Sequence, residues 1–402
     1  MVTVALMGFA SGLPLALTGY TLKAWLTDSG LDLKTIGVFS LIAQPYALKF
    51  LWAPFLDRFM PPFLGRRRGW MVPIQAVLAL LLVLLAFADP RVSVGRVAFL
   101  GILVAFASAS QDIVIDAWRR EAFRERDLGM ANAVHFGGYR VAMIVSMSGG
   151  LALAQFAGYR VMYLGMAGLM AVGVVSALMA WSTDETSTAP RSLREAVVQP
   201  FRQFMARPAF GEVLAFCLLY KIGDQLADTL QAPFLLRGMG FTKVQVASTT
   251  KTVGLLSLIL GGVLGGALMK RLSLKRALVL FGGCQAGSIL AFWALSRLGP
   301  RLFVLTFALG LENLAFGMGT AAFGTFVMLL CDRRFTATQY ALLTSLLAVT
   351  RGYLTAPAGW YAARTGWSLY FLTCALAALP GLFLLLRYER WGIDEDNGVV
   401  AG

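Results

Sequence analysis

Two acidic residues four apart, Asp112 and Asp116, close an apolar stretch that reads SASQDIVIDAW. At that spacing both carboxylates lie on one face of a helix. Two carboxylates crowded in a low dielectric repel, which favours a proton on one of them. A second cluster, LLYKIGDQLADTLQ, puts Lys221 three residues before Asp224 and Asp228 four residues after it, with apolar runs on both sides. Glu312 and Asn313 interrupt a third apolar stretch, FALGLENLAFGMG, and single cations do so elsewhere: Lys23, Lys49, Arg140, Lys251 and Arg351. A cation at membrane depth is expensive, so such residues usually face a polar cavity and have a task there. The chemistry on offer is proton carriage by Asp112, Asp116, Asp224, Asp228 or Glu312, and anion binding by Lys49, Arg140, Lys221, Lys251 and Arg351. An arginine fork suits a carboxylate better than a lysine does.

Each of these residues also has a plainer reading. Asp116 can cap its helix or pair with Arg119 or Arg120. Lys221 and Asp224 can form a static pair that fixes helix register, though a buried pair is weak evidence for stability. Lys23 can snorkel to an interface. Gln44, Gln111, Gln225 and Asn313 can bond hydroxyls or amides of a polar solute. Tyr20, Trp25, Tyr46, Tyr139 and Tyr220 can stack on a sugar ring, or simply anchor and pack. His135 stands alone as a core histidine or a relay. The cysteines, Cys217, Cys284, Cys331 and Cys374, are dispersed. No metal, cofactor, disulfide framework or catalytic residue is expected from these spacings.

These residues must be positioned by membrane helices. The chain has 402 residues, is 58% hydrophobic and only 14% charged. Its mean hydropathy is +0.71. Apolar stretches long enough to cross a bilayer recur at about 2–26, 35–56, 70–88, 94–117, 128–157, 158–181, 208–236, 243–269, 274–296, 301–330, 337–363 and 365–387. That is about twelve spans of an all-α polytopic membrane protein. Residues 128–181 are too long for one span, which sets a break near Gly158; Gly366 plays the same part between the last two. Eleven or thirteen spans are the competing counts. The N-terminus lacks a basic leader and reads as the start of the first span.

The net charge of +14 lies in short clusters between spans, which argues against nucleic-acid binding. With the N-terminus inside, twenty basic residues fall on the cytoplasmic side and nine opposite. The bias puts both termini in the cytoplasm. Residues 182–207 form the longest polar segment, a linker with a possible amphipathic helix. It divides a six-span bundle at 1–181 from another at 208–390, with a tail at 391–402. Two parallel six-helix repeats describe the major facilitator architecture. LDRFMPPFLGRRR fits its loop between the second and third helices. Asp57, Arg58, Arg66, Arg67 and Arg68 there make a charge latch at the cytoplasmic gate, or enforce topology alone. The loop departs from the usual pattern by inserting residues 60–64 and lacking the leading glycine.

Over essentially its whole length the sequence resembles the AmpG muropeptide permeases of Gram-negative bacteria. The resemblance is carried by GFASGLPLALTGYTLKAWL at 8–26, DLKTIGVFSLIAQPYALKFLWAPFLDRFMPPFLGRRRGW at 32–70, SASQDIVIDAW at 108–118, YKIGD at 220–224, LENLAFGMGTAAF at 311–323 and TATQYALLTSLLAV at 336–349. It implies a monomeric inner-membrane symporter that imports N-acetylglucosaminyl-1,6-anhydro-N-acetylmuramyl peptides with protons. Those fragments serve peptidoglycan recycling and beta-lactamase induction, hence antibiotic resistance. A looser likeness to acetyl-coenzyme A transporters leaves another anionic metabolite, such as an acyl-coenzyme A, as the alternative. An intramembrane enzyme acting on wall precursors is disfavoured, because no nucleophile or acid–base pair is organised.

Overall fold

The computed structural model describes residues 1–183, 190 and 192–393, apart from the side chains of Leu33, Thr350, Arg351 and Gly352. Among the described residues there is no strand, and the helical segments line up into twelve rods. They are α1 (2–28), α2 (33–58), α3 (66–86), α4 (94–122), α5 (125–157), α6 (159–179), α7 (210–238), α8 (243–268), α9 (274–298), α10 (302–329), α11 (336–365) and α12 (367–391). A separate linker helix covers Leu193–Met205. Among the described residues, eight helical stretches are long and apolar enough to cross a bilayer.

The breaks at Gly158 and Gly366 fall where chain length required them. Gly158 has φ 80° and ψ 162°, and Gly366 has φ 77° and ψ 166°. That region is essentially closed to any residue with a Cβ. Several rods outrun their apolar cores. The fourth continues to Ala122, and the third begins at Arg66. Apolar length marks the hydrocarbon thickness, while hydrogen bonding carries a helix on into the interface.

Among the described residues, several rods contain turns that are not α-helical, and four of them lie near candidate residues. α2 alternates α and 3-10 segments, with Lys49 opening the 3-10 turn Lys49–Leu51. Pro45 and Pro54 start its short helices, since neither supplies the N–H of an interior position. α7 breaks at Tyr220 and Lys221, between Phe210–Leu219 and Ile222–Pro233. Lys251 lies in the π-turn Thr250–Gly254 of α8, and α5 has a π-turn at Val145–Gly149, five residues beyond Arg140. Such turns in membrane helices commonly mark functional positions.

Two compact units form. One comprises Met1–Phe123, Val134–Phe201 and Cys331–Ser345; the other comprises Arg124–Ala133, Arg202–Leu330 and the chain from Leu346. The start of α5 therefore belongs with the later rods, and the start of α11 with the earlier ones. Between membrane helices, close contact depends on shape, because lipid is as apolar as leucine. In the first unit, Gly8 and Gly12 of α1 meet the carbonyls of His135 and Tyr139, and Gly138 meets that of Ala5. In the second, the run GGVLGG works on two sides of α8. Gly261 and Gly265 face Leu314 and Met318 of α10, while Gly262 and Gly266 face residues 129–133. The core of the first unit gathers Leu17, Leu82, Val104 and Tyr163. In the second unit, Phe234, Phe292 and Phe371 contact one another.

Candidate functional site

The first unit holds one polar cluster built from α1, α2, α4 and α5. Asp112 is partly buried, and its Oδ1 has no hydrogen-bond partner. Charges within reach of it are Lys49, Asp116 and Arg119, with the Ser11 hydroxyl also near. Tyr46 and Tyr139 sense the same carboxylate, and Tyr139 also senses Arg140. Arg140 lies 5.0 Å from the centre of the Phe136 ring. Lys49 is buried. Gln111 is wholly buried with neither amide atom bonded, an exception among buried polar groups. Asp116 is committed to Arg119 at 2.6 Å, the plainer of its two readings.

The second unit holds another cluster, on α7 and α10. Lys221 Nζ lies 3.6 Å from Asp224 Oδ2 and 4.5 Å from the centre of the Phe316 ring. Neither polar atom has a hydrogen-bond partner, and both side chains are buried. Glu312 Oε2 accepts from Gln231 at 3.4 Å and Asn313 at 3.0 Å. Asp224, Asp228 and Lys221 are its charged neighbours. Asp224 and Glu312 thus neighbour the Lys221 ammonium, with Asp228 beside both acids, whereas Lys49, Arg119 and Arg140 stand with Asp112 and Asp116 in the first cluster.

Other sequence-derived candidates sit elsewhere. Tyr220 is buried; its hydroxyl donates to the Leu278 carbonyl at 2.9 Å and its ring stacks on Phe323. It is a packing residue in this arrangement. Tyr20 and Gln44 are exposed, Gln225 is partly buried, and Lys251 is exposed on its π-turn. Trp25 stacks on Tyr159, and Lys23 donates to Ser40. His135 Nδ1 has no hydrogen-bond partner. Arg351 falls within the helix Thr336–Thr355, but its side chain lies outside the described residues. Among the described residues no group of acids, histidines and cysteines could hold a metal.

At the α2–α3 loop a third cluster is wholly buried. Arg67 Nη2 donates to Asp57 Oδ1 at 2.8 Å, and its Nε donates to Glu121 Oε2 at 3.1 Å. Arg66 reaches Glu121 Oε1 at 2.9 Å, and the Thr183 hydroxyl donates to Oε2 at 3.2 Å. The other Asp57 oxygen accepts the Thr338 backbone N–H and hydroxyl, each at 2.8 Å. It thereby caps the first turn of α11, where unsatisfied N–H groups favour an anion. Arg58 and Arg68 stand apart, beside the Phe59 ring and the Leu178 carbonyl. Glu121 and Thr338 were missed in sequence; RREAF hinted at a further acid, but nothing local singles out Thr338.

Twelve rods, polar clusters on irregular turns and this capped loop define a solute transporter. Residues 4–354 match the model of the Major Facilitator Superfamily. The chain belongs to that superfamily and, within it, to the AmpG-type permeases. It is 45% identical to the anhydromuropeptide permease of Escherichia coli strain K12, over 95% of this chain and 78% of that one. A putative transporter AmpG 4 of Rickettsia conorii is 31% identical, over 95% of each chain. A bacterial homologue of the iron transporter ferroportin, solved in an outward-facing state, superposes with a TM-score of 0.75 at 13% identity, covering 97% of this chain and 99% of the other. That likeness concerns the fold.

Proposed function

We propose that this chain imports anhydromuropeptides from periplasm to cytoplasm across the bacterial inner membrane, coupled to proton entry. The observation that carries this reading is the 45% identity to a permease named for that substrate. Alternating access would involve the halves 1–181 and 208–390, joined by 182–207, with both termini cytoplasmic as the basic loops favour. A monomer suffices, and lipid, substrate and protons are the partners. The cation-rich first cluster suits substrate carboxylates. The acid-rich second cluster leaves a charge excess that a proton can balance. Asp112, Asp224 and Glu312 are the candidate proton carriers. The buried Asp57, Arg67, Glu121 and Thr338 group serves as the cytoplasmic latch. Substrate moves without bond making or breaking.

Uptake of labelled anhydromuropeptide into sealed vesicles, with and without an imposed pH gradient, tests the reading. Gradient-driven accumulation of unchanged substrate is expected. Equal uptake without the gradient removes the proton coupling, and cleavage of the substrate points to an enzyme. Arg140→Lys should lose affinity for the peptide-bearing ligand and keep it for the peptide-free disaccharide. Loss of both affinities places Arg140 away from the peptide carboxylates.

A further inference from the structure

The linker helix Leu193–Met205 carries two apolar stripes where a helix docked on protein alone needs one. Ala196, Pro200 and Phe204, four residues apart, form a buried stripe. Leu193, Val197, Phe201 and Met205 form a second stripe at the same spacing, widened by Val198, and are 38% to 58% exposed. Arg194 and Arg202 are also exposed and flank this outer stripe. The helix is joined to α6, which ends at Met179, and to α7, which begins at Phe210. Four residues separate its end at Met205 from the start of α7 at Phe210, so the chain keeps it beside the end of that rod.

The helix is also tied to the start of α11. Arg334 Nη2 donates to Glu195 Oε1 at 2.8 Å, and Gln339 Nε2 donates to the Pro200 carbonyl at 3.3 Å. Gln339 follows Thr338, whose N–H is capped by Asp57. A force on the linker helix therefore reaches the first turn of α11 through two side chains.

We propose that the outer stripe inserts into the cytoplasmic leaflet, with Arg194 and Arg202 on acidic lipid headgroups, and that this insertion steadies the start of α11. Apolar residues beside arginines on an exposed helix are what an anionic lipid surface takes up. The inference goes beyond substrate identity: the regulator is the surrounding bilayer.

Val197→Cys and Phe201→Cys, each in a Cys284→Ser background and labelled with an environment-sensitive fluorophore, are reconstituted in phosphatidylcholine vesicles with or without phosphatidylglycerol. Gln199→Cys, on another side of the helix, is the control. Acyl-brominated lipid should quench the labels at 197 and 201 several-fold more than the label at 199, and more strongly with phosphatidylglycerol. Equal quenching at all three positions, or none, overturns insertion. Hydrogen exchange at the first turn of α11 tests the coupling. Phosphatidylglycerol should slow it several-fold in the wild type and clearly less in Glu195→Ala, which cuts one of the two links. An unchanged lipid response in Glu195→Ala overturns the Arg334 tether. Neither readout needs substrate, so failure of muropeptide uptake leaves both decisive.

Discussion

Asp57 Oδ2 accepts both the backbone N–H and the hydroxyl of Thr338, a residue 281 positions further along the chain. One carboxylate thus completes the buried Arg67 pair on one side and a helix start on the other. Removing it as Asp57→Ala leaves the buried guanidiniums of Arg66 and Arg67 to share Glu121 alone and leaves the Thr338 N–H without its acceptor. Loss of about 3–5 kcal/mol of stability is expected, read as a lowered melting temperature in detergent. Thr338→Val removes only the hydroxyl and should cost about 1 kcal/mol. Equal losses from the two would mean the charge is not the main contribution.

Lys221 and Asp224 pose a different question, since their pair can serve structure or transport. Lys221→Met leaves Asp224 buried without its cation and should destabilise by about 3–5 kcal/mol. Adding Asp224→Leu restores an apolar contact and should recover most of the melting temperature. Uptake should remain absent in the double variant. Recovered uptake would make the pair a structural device only.

The glycines at the two chain breaks can be tested against a helical one. A Cβ at Gly158 or Gly366 meets no atom within 4 Å, so any penalty is conformational. Each alanine variant should lose about 1–3 kcal/mol. Gly149→Ala has similar open space but an ordinary helical backbone, φ −65° and ψ −41°. It should be neutral or slightly stabilising in a melt.

Close packing gives the opposite pattern. Gly138 faces the Ala5 carbonyl and Gly317 the Leu258 carbonyl, so either alanine must push rods apart. A loss of about 1–3 kcal/mol is expected. Gly168 and Gly283 have open surroundings and should tolerate alanine. Paired melting curves check all four.

Asp32 gives a prediction for acid conditions. It accepts from the N–H groups of Lys34 and Thr35 at 2.9 Å and from the Thr35 hydroxyl at 2.7 Å, capping the helix Leu33–Val38. Bonding to Thr35 holds its carboxyl below the usual carboxylate range. The cap is therefore intact above the unfolded value and is lost as pH falls through the lower folded one. Hydrogen exchange over 33–38 should quicken only in strong acid, and Asp32→Ala should quicken it already at neutral pH.

The span pattern was legible because a bilayer demands about twenty apolar residues wherever a helix crosses it. Gly158 and Gly366 were legible for the same reason, as the points where excess length had to break. The charged residues could be found, because deep charges are rare. Partners within one helical turn could be read too, Arg119 for Asp116 and Asp224 for Lys221; distant partners could not. Glu121 reads as one more acid in a basic loop, and Thr338 as an ordinary helix start. Phe316 is one of 28 phenylalanines. Tyr220 looked available to solute because sequence does not disclose the Leu278 carbonyl that takes its hydroxyl. Local pattern shows which groups are costly to bury, and only folding shows what compensates them.

The π-turn Thr250–Gly254 gives α8 an angular phase shift. Each added α-helical residue rotates whatever follows by about 100°, so a one-residue deletion elsewhere in the rod would swing GGVLGG off both of its neighbours. Within the π-turn, the wider winding holds a residue that an α-turn does not need. Shortening there can keep both glycine faces in place while Lys251 loses its own. The rod is a coupling between two shafts indexed separately, one carrying the lysine and the other the packing surface.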